Sequence, residues 1–358
     1  MSTQSLPKVI RAITLPYKQK VASIQQIPIP PSRPDYITVK IHSVALNPTD
    51  WKHIHMGIGG DPYSIVGCDF SGTVVSIGDK VTKQFKIGEE VYGVAHGGNA
   101  NNSEDGVFGE YAVVKGDLVM RKPENLSFED ASTIPLGTVT VAQGLFQKGK
   151  GLGLELPGDG KGNGEWVLIY GGSTATGTLG IQFAKLAGYK VITTCSPRNH
   201  ELVKSRGADE VFDYNASDAA AKIRELTGNK LKYAWDTVGI DASAVFCAEA
   251  LSSEAGGHFG TILQNKIPRD DVKQTGTIMY TIFGETYDKF GIHFPASKED
   301  FEFAKVWTAL SEKLVAEGKV KPHPAQVGKG GLEGVLQGLE DLKNGKVSGN
   351  KLVYNIEG

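Results

Sequence analysis

The residues best suited to chemistry follow a short apolar run at 167–170, where small and hydroxyl-bearing side chains precede a helical pattern of apolar residues. This order predicts a strand, a tight turn and a helix. Gly171 and Gly172 can adopt turn conformations closed to other residues, and Gly177 lets the helix pack closely on the strand. The amides at such a helix start bind phosphate groups. We therefore expect the pyrophosphate of a dinucleotide to contact Gly171, Gly172, Ser173, Thr174, Ala175, Thr176 and Gly177.

The centre of this motif differs from the usual dinucleotide fingerprint, because Thr174 stands where a second glycine is common. The hydroxyls of Ser173, Thr174 and Thr176 can bind phosphate instead. An ordinary helix start without a ligand is the alternative, since these residue types also cap helices. A second β-rich run, Lys190–Cys195, completes a strand–helix–strand unit, and this setting favours the cofactor.

The end of the second predicted strand indicates which dinucleotide binds, because NAD-binding proteins usually place an acidic residue there against the ribose 2′-hydroxyl. Four residues without an acid follow the strand here, namely Ser196, Pro197, Arg198 and Asn199. Their side chains can hold a 2′-phosphate through charge-assisted hydrogen bonds. Tyr214, at the end of the third predicted strand (209–214), can reach the adenine ribose. The pattern predicts NADPH/NADP+ as the cofactor, with an exposed surface charge as the alternative for Arg198.

Further β-rich runs at 232–238 and 258–263 alternate with helical stretches. This alternation predicts an α/β fold with a doubly wound parallel sheet of the Rossmann type. Ligands of such sheets bind beyond the carboxyl ends of the strands. We therefore expect Ile262 and Leu263 to line the nicotinamide half of a cleft, or else to be ordinary core residues.

The sequence before residue 130 has a different character, with short β-rich runs broken by Gly, Pro and Asp. Such runs predict an antiparallel, barrel-like domain. Helices predicted at 301–318 and 332–344 precede a closing strand at 351–355, which has the β-rich character of the runs before residue 130. We therefore expect residues 1–130 and 310–358 to form one domain and residues 131–309 to form a nucleotide-binding domain inserted between its parts.

The composition narrows the class of protein. The 358 residues carry a formal net charge of −2, which gives no sign of binding to nucleic acid or to an anionic membrane. The chain shows neither a secretion signal nor a membrane-spanning segment. Its three scattered cysteines support neither a disulfide framework nor a CxxC metal site, so we expect a cytoplasmic protein.

Several short motifs resemble those of the medium-chain dehydrogenase/reductase superfamily. The segment Ala45–Lys52, with the letters ALNPTDWK, is similar to zinc-free quinone-reductase-like members, and the turns at 67–72, 88–93 and 106–111 match their barrel. Within the superfamily, the motifs at 171–176, 195–199 and 280–285 resemble fungal trans-acting enoyl reductases of the lovastatin and ToxD-like types. This resemblance implies a GroES-like β-barrel-type domain beside the Rossmann domain.

Alcohol dehydrogenases of this superfamily bind zinc through Cys, His and Cys ligands around the reacting oxygen. The corresponding positions here are Asn47, Cys68 and approximately Leu136, which do not make a tetrahedral zinc site. The loop at 93–109 also lacks the cysteines of the structural zinc lobe. We expect no metal, and Cys68 is interpreted as a packed small residue.

Reduction of a conjugated double bond needs no metal, because the substrate's own carbonyl delocalises the enolate formed by hydride addition. Lys52 and Thr140 are the candidate catalytic residues at the nicotinamide end. A surface lysine and a helix hydroxyl bonded to a backbone carbonyl are the respective alternatives. The sequence identifies no proton donor, and solvent is one source of that proton.

The resemblance also implies contacts that spacing alone does not indicate. Cofactor contacts are implied for Pro48, Thr49, Asp50 and Trp51, and for a turn at Val347 and Ser348. Substrate contacts are implied for two segments, whose plainer interpretations are a helix start and a β-edge: Leu136, Gly137, Thr138 and Thr140, and Tyr280, Thr281, Ile282 and Phe283.

These patterns support more than one function. The first is an NADPH-dependent trans-acting enoyl reductase that acts on α,β-unsaturated thioesters carried by a partner polyketide synthase. The second is a stand-alone, zinc-independent quinone or enone reductase, and the third is a protein that binds NADPH without turnover. The sequence leaves open whether the chain is a monomer or a homodimer.

Overall fold

A computed structural model describes residues 6–158 and 160–356 of the protein. The strands, in chain order, are β1 (Val9–Pro16), β2 (Ser23–Pro28), β3 (Tyr36–Ala45), β4 (Tyr63–Ile65), β5 (Asp69–Ile77), β6 (Glu90–Val94), β7 (Tyr111–Lys115), β8 (Met120–Arg121), β9 (Trp166–Tyr170), β10 (Lys190–Thr194), β11 (Glu210–Phe212), β12 (Tyr233–Asp236), β13 (His258–Thr261), β14 (Lys273–Gly276), β15 (Tyr287–Lys289), β16 (Ile292–Phe294), β17 (Ala325–Gly328) and β18 (Lys351–Asn355). The helices are α1 (Pro48–Met56), α2 (Phe128–Ser132), α3 (Pro135–Val141), α4 (Ala175–Leu186), α5 (His200–Ser205), α6 (Ala219–Leu226), α7 (Asp241–Ala250), α8 (Lys298–Ala316) and α9 (Gly331–Lys343).

The chain divides into two compact units. Unit 1 comprises the residues up to Leu136, Tyr280–Glu317 and the segment from Pro324 onward, whereas unit 2 comprises Gly137–Met279 and Gly318–His323. Among the described residues, no helix combines the length and the apolar character needed to cross a bilayer.

Unit 1 is built on two largely antiparallel sheets and a two-stranded antiparallel sheet, β15-β16. The larger sheet has the strand order β17-β18-β3-β5-β6-β8, with β7 also paired to β3, and the smaller has the order β2-β1-β4. The buried faces of β3 and β5 meet in a core that includes Val39, Phe70 and Phe108. This is the GroES-like barrel type of domain that the motifs at 67–72 and 106–111 imply.

Unit 2 contains a six-stranded parallel sheet with the order β11-β10-β9-β12-β13-β14. The central strand β9 is apolar throughout and mostly buried, as expected for a sheet covered on both faces. Strand β10, which follows β9 in the chain, pairs with one edge of β9, and the later strand β12 pairs with its other edge. The topological switch point therefore lies between the carboxyl ends of β9 and β12, which is where such sheets bind ligands. The predicted α/β fold class is confirmed.

The strands of unit 2 are shorter than the sequence suggests. The predicted runs at 209–214, 232–238 and 258–263 form strands only over 210–212, 233–236 and 258–261. The residues past each strand turn away from the sheet to form loops at its carboxyl edge. Tyr214, Ile262 and Leu263 are therefore loop residues.

Residues 280–309 fall in unit 1, which differs from the expected division at 131–309. Ion pairs explain this placement, because Glu285 accepts a hydrogen bond from Lys115, 2.7 Å away, and Glu312 on α8 pairs with Lys83. Helix α8 begins after Ser297, whose hydroxyl accepts a hydrogen bond from the Asp300 amide at 3.2 Å. Its charged partners in unit 1 were not visible in the local sequence pattern.

Candidate active site

The glycine turn after β9 requires three glycines for different reasons. Gly171 has a φ of 81°, in the left-handed region that favours glycine. Gly172 does not have a positive φ, so the expectation of an unusual conformation there is wrong; a Cβ at this position would instead clash with the Thr193 hydroxyl. A Cβ on Gly177 would clash with the Gly171 carbonyl, which confirms that this glycine permits close packing of α4.

Thr174 caps helix α4. Its hydroxyl accepts a hydrogen bond from the Gly177 amide at 2.8 Å and lies 3.0 Å from the Thr237 hydroxyl. Thr237, just beyond β12, in turn donates to the Tyr170 carbonyl at 2.8 Å. The turn is thus fixed at the switch point, and Thr174 has a structural role besides any contact with phosphate. Ala175 and Thr176 form the first turn of α4, where amides without an intrahelical acceptor can bind an anion.

The predicted 2′-phosphate residues lie beside this turn. The segment Pro197–Asn199 forms a single 3₁₀ turn, and the Asn199 amide group donates to the Ser173 hydroxyl at 3.2 Å. The hydroxyls of Ser196 and Tyr214 are 3.0 Å apart, and Tyr214 is 41% exposed. Arg198 is exposed and makes no ion pair or hydrogen bond with the described part of the chain. The hydrogen bond between Asn199 and Ser173 therefore joins the glycine turn to this polar set, and the contacts predicted with a 2′-phosphate stay predictions.

A hydrogen-bond network at the carboxyl ends of β12 and β13 was missed from the sequence. Asp236 accepts bonds from the Val238 and Gly239 amides and from the side chains of Ser243 and Asn265. This network fixes the loops that leave the sheet at its ligand-binding edge. Leu263, in one of these loops, is 40% exposed, so it is not a core residue, and Ile262 beside it is half-buried.

In unit 1, the first turns of helix α1 carry four residues for which cofactor contacts are predicted. The Asp50 carboxylate is fully buried and accepts a hydrogen bond from the Asn47 amide at 2.7 Å, so it caps its own helix. Burial raises the pKa of Asp50 to about 7. Pro48 is exposed, Thr49 is half-buried, and Trp51 packs against the core of unit 1. The cofactor contacts implied for these four residues stay predictions.

Lys52 lies half-buried on α1, so it is not a simple surface lysine. Its Nζ is 5.7 Å from the centre of the Trp51 ring, and no carboxylate pairs with it among the residues that the structure describes. Burial lowers the pKa of Lys52. An ammonium of this kind can interact with a ligand without first breaking an ion pair.

The positions that bind zinc in related alcohol dehydrogenases are occupied by a buried network around Asp69. Asp69 accepts hydrogen bonds from the Asn47 side chain at 2.9 Å and from the Leu136 amide at 2.7 Å, and it pairs with the Lys351 ammonium. Cys68 is fully buried, and burial raises the pKa of its thiol well above the usual value. Within residues 6–158 and 160–356, no three His, Cys, Asp or Glu side chains form a group suited to a metal.

The segment Met279–Phe283 forms a 3₁₀ turn, so the alternative of a β-edge at Tyr280–Phe283 is wrong. Tyr280 is buried, and its hydroxyl lies 2.6 Å from that of Thr49. Ile282 and Phe283 are also buried, whereas Thr281 is half-buried. The structure thus brings Tyr280 and Thr49 together, although they lie 231 positions apart in the chain.

Helix α3 contains the other predicted substrate segment. Leu136 is the last residue of unit 1 before the division, and Gly137 faces the Leu179 side chain of unit 2. Thr138 and Thr140 are buried. The roles proposed for these residues stay predictions.

Val347 and Ser348 lie in the loop between α9 and β18. Val347 packs against the core of unit 1, and Ser348 is exposed. Their implied contact with the cofactor also stays a prediction.

Three further residues near Tyr280 were missed from the sequence. The His96 ring stacks on Tyr280 with 4.1 Å between ring centres, His53 lies 5.7 Å away, and the Lys289 ammonium is 3.5 Å from the ring centre. No local motif marks these residues, because each lies in a different part of the chain. Their proximity became visible only in the folded unit.

Comparisons with known proteins agree with this architecture. Residues 33–124 match the family model of the alcohol dehydrogenase GroES-like domain, and residues 175–262 match that of the zinc-binding dehydrogenases. A putative zinc-dependent alcohol dehydrogenase from Rhizobium etli shares the fold, with a TM-score of 0.78 and 22% identity over 98% of this chain and 99% of that one.

Curated relatives define the family more closely. The chain is 43% identical over 339 residues to a trans-enoyl reductase from Alternaria alternata, a match that covers 95% of this chain and 97% of that protein. It is 37% identical over 362 residues to the enoyl reductase component of lovastatin nonaketide synthase from Aspergillus terreus, which covers 97% and 96%. The chain therefore belongs to the trans-enoyl reductases of the medium-chain dehydrogenase/reductase superfamily, oxidoreductases that act on carbon–carbon double bonds.

Proposed function

We propose that this protein uses NADPH to reduce the α,β-double bond of polyketide thioesters carried by a partner polyketide synthase. The observation that carries the cofactor assignment is the set Ser196, Arg198 and Asn199, which follows β10 without an acidic residue and lies beside the glycine turn. A carboxylate at this point would repel a 2′-phosphate, whereas an exposed guanidinium attracts one.

Unit 2 supplies the dinucleotide site in this proposal. Gly171, Gly172 and the first turn of α4 hold the pyrophosphate, and Ser196, Arg198, Asn199 and Tyr214 hold the phosphorylated adenine ribose. NADPH, when bound, supplies hydride to the substrate. Ile262 and Leu263 are assigned to the nicotinamide half of the site.

The chemistry that remains for the protein is to orient the enoyl group and to stabilise the enolate. We assign Lys52 and Thr140 to hydrogen bonds that favour the developing charge, because a cation or hydroxyl at an enolate oxygen stabilises the transition state more than the ground state. The half-buried position and lowered pKa of Lys52 support this role. Leu136, Thr138 and the Tyr280–Phe283 turn are assigned to the acyl chain.

The hydrogen-bond network around Asp69 supports reduction without zinc. Asn47 and the Leu136 amide are bonded to Asp69, which is itself neutralised by Lys351. These residues have their polar groups satisfied by one another and do not present a tetrahedral ligand set. The substrate's own thioester carbonyl then takes the place of a Lewis acid in delocalising charge.

The partner assignment comes from the relatives. One of them is the enoyl reductase component of lovastatin nonaketide synthase, and others are trans-enoyl reductases. We propose by analogy that a carrier domain of a separate synthase presents the substrate to this chain. A cytoplasmic location suits such a partnership.

The proposal is tested by following NADPH oxidation with a panel of acceptors. The panel contains crotonyl and longer enoyl pantetheine thioesters, a simple enone and a small quinone, and each is repeated with NADH. We expect turnover of the thioesters, with NADPH strongly preferred. Turnover of the quinone alone would contradict the proposal and make the protein a stand-alone quinone reductase.

A further inference from the structure

Six side chains of unit 1 form what we call the inner cluster: Thr49, His53, Cys68, His96, Tyr280 and Lys289. The Tyr280 ring is at its centre. His96 stacks on this ring, the Lys289 ammonium is 3.5 Å from its centre, and the Tyr280 hydroxyl is 2.6 Å from the Thr49 hydroxyl. The six residues of the cluster come from four separated parts of the chain, at 49–53, 68, 96 and 280–289.

Lys289 is the unusual member of the cluster. It is 7% exposed, and no carboxylate pairs with its ammonium among the described residues. Burial of an unpaired ammonium is costly, although the face of an aromatic ring returns part of that cost. An apolar side chain of the same length would fill the space without this penalty. Titratable groups in such surroundings cluster at functional sites.

Tyr280 connects this buried cation to the surface of α1. Burial raises the pKa of Tyr280 well above the usual value, so the phenol keeps its proton and can donate a hydrogen bond to the Thr49 oxygen. Thr49 is half-buried, and it lies three residues before Lys52, on the same face of the helix. A hydroxyl that accepts one hydrogen bond becomes a better donor of the next. Thr49 is therefore prepared to donate its own proton outward.

We propose that Thr49 delivers the proton that completes the reduction, with Tyr280 and Lys289 as positioning residues behind it. This inference rests on the function proposed above. Hydride addition at the β-carbon breaks the carbon–carbon π bond, and its electron pair forms the enolate. The α-carbon then takes the Thr49 hydroxyl proton while the Thr49 oxygen takes the phenol proton of Tyr280. Burial disfavours the phenolate that this leaves. The Lys289 ammonium over the ring face offsets part of that cost, and a proton from solvent restores the phenol before the next turnover.

The test compares Tyr280→Phe with Tyr287→Phe, using an α-methyl enoyl pantetheine substrate. Tyr287 is a matched control, because its ring contacts His96 in the same region but its buried hydroxyl has no hydrogen-bond partner in the described structure. We expect Y280F to lower kcat about 10- to 100-fold, which is no more than the low end of the roughly 10²- to 10⁴-fold contribution of a general acid, because Thr49 keeps its hydroxyl and loses only the donor behind it. KM and the Kd for NADPH should stay within about twofold of the wild-type values, because the phenol hydroxyl is proposed to act only on the proton transfer.

The configuration of the product gives a second readout that a structural role would not change. The wild-type enzyme and Y287F should form one α-epimer, whereas Y280F should form a mixture as solvent protonates the enolate from either face. Thr49→Val should behave like Y280F, and Thr49→Ser, which keeps the hydroxyl, should retain the single epimer.

The role of Lys289 is tested through the pH profile of kcat. The groups that face it are His53, His96, Cys68 and Tyr280, and burial lowers the pKa of Lys289 to about 7. We expect wild-type kcat to fall as the pH rises through this range and the ammonium loses its charge. Lys289→Arg should retain activity to higher pH, and Lys289→Met should be slow at every pH.

The outcomes distinguish a failure of the proton relay from a failure of the proposed enoyl reduction. If Y280F forms a single epimer at the wild-type rate, the relay is wrong while enoyl reduction stands. If the wild-type enzyme reduces no enoyl thioester, the proposed function and the relay both fail.

Discussion

Removal of the Arg198 charge tests the cofactor assignment most selectively. Arg198 is exposed, follows β10 and has no ionic partner in the described part of the chain, so its replacement should not disturb the fold. A hydrogen bond to a charged group contributes about 1.5–3 kcal/mol. Solvent exposure and salt weaken such a hydrogen bond, so we expect the loss of the Arg198 charge to cost about 1.5–2 kcal/mol of NADPH binding energy. This corresponds to a rise of about 10- to 30-fold in the Kd for NADPH.

The assay is titration of the protein with NADPH and with NADH, followed by nicotinamide fluorescence. Arg198→Gln should weaken NADPH binding by this factor and leave NADH binding within about twofold, because NADH lacks the 2′-phosphate. Lys204→Gln is the matched control, since Lys204 is an exposed cation on the adjacent helix α5 and its loss changes the net charge equally. Equal weakening of both nucleotides in R198Q, or an equal effect in K204Q, would refute the 2′-phosphate contact.

Three other changes probe the framework of the two units. Asp69→Asn leaves the buried Lys351 ammonium unpaired and should lower the free energy of unfolding by about 3–5 kcal/mol in urea titrations. Asp341→Asn, in the exposed pair with Lys346, should change the free energy of unfolding far less, and equal effects of the two substitutions would contradict the burial argument. Gly172→Ala places a Cβ against the Thr193 hydroxyl and should weaken NADPH binding or stability, while Gly276→Ala, which meets no close neighbour, should be tolerated. Burial raises the pKa of Asp50 to about 7, so the contribution of its protonated form to stability is present below about pH 4 and is lost as the pH rises through 7. The free energy of unfolding of the wild type should therefore fall relative to that of Asp50→Asn by at most about 1.4 kcal/mol per pH unit between these pH values, and parallel pH profiles of the two proteins would contradict this.

The strand, turn and helix from β9 to α4 could be predicted from the sequence because their determinants are local. The apolar strand β9, the glycines after it and the cap at Thr174 lie within a dozen residues. Their roles follow from backbone conformation, packing space and helix capping, which the residue types themselves specify. The role of Gly172 was the exception, because the Thr193 hydroxyl that excludes a Cβ comes from the neighbouring strand.

The polar arrangement of unit 1 could not be predicted in this way. Lys351 reaches Asp69 across 282 residues, and Tyr280 reaches Thr49 across 231. Neither contact leaves a periodic or local signal. The resemblance to the family indicated the segments 45–52 and 280–285 but not the bond between them, and it gave no reason to single out Lys289.

The fate of the transferred hydride tests enoyl reduction most directly. Crotonyl pantetheine is incubated with the protein and NADPH deuterated at C4, using each of the two C4 epimers, and the product is analysed by mass spectrometry and NMR. Reduction of the double bond predicts butyryl pantetheine with a single deuterium on the β-carbon from one of the two epimers. Deuterium on the carbonyl carbon, or no product from either epimer, would contradict it.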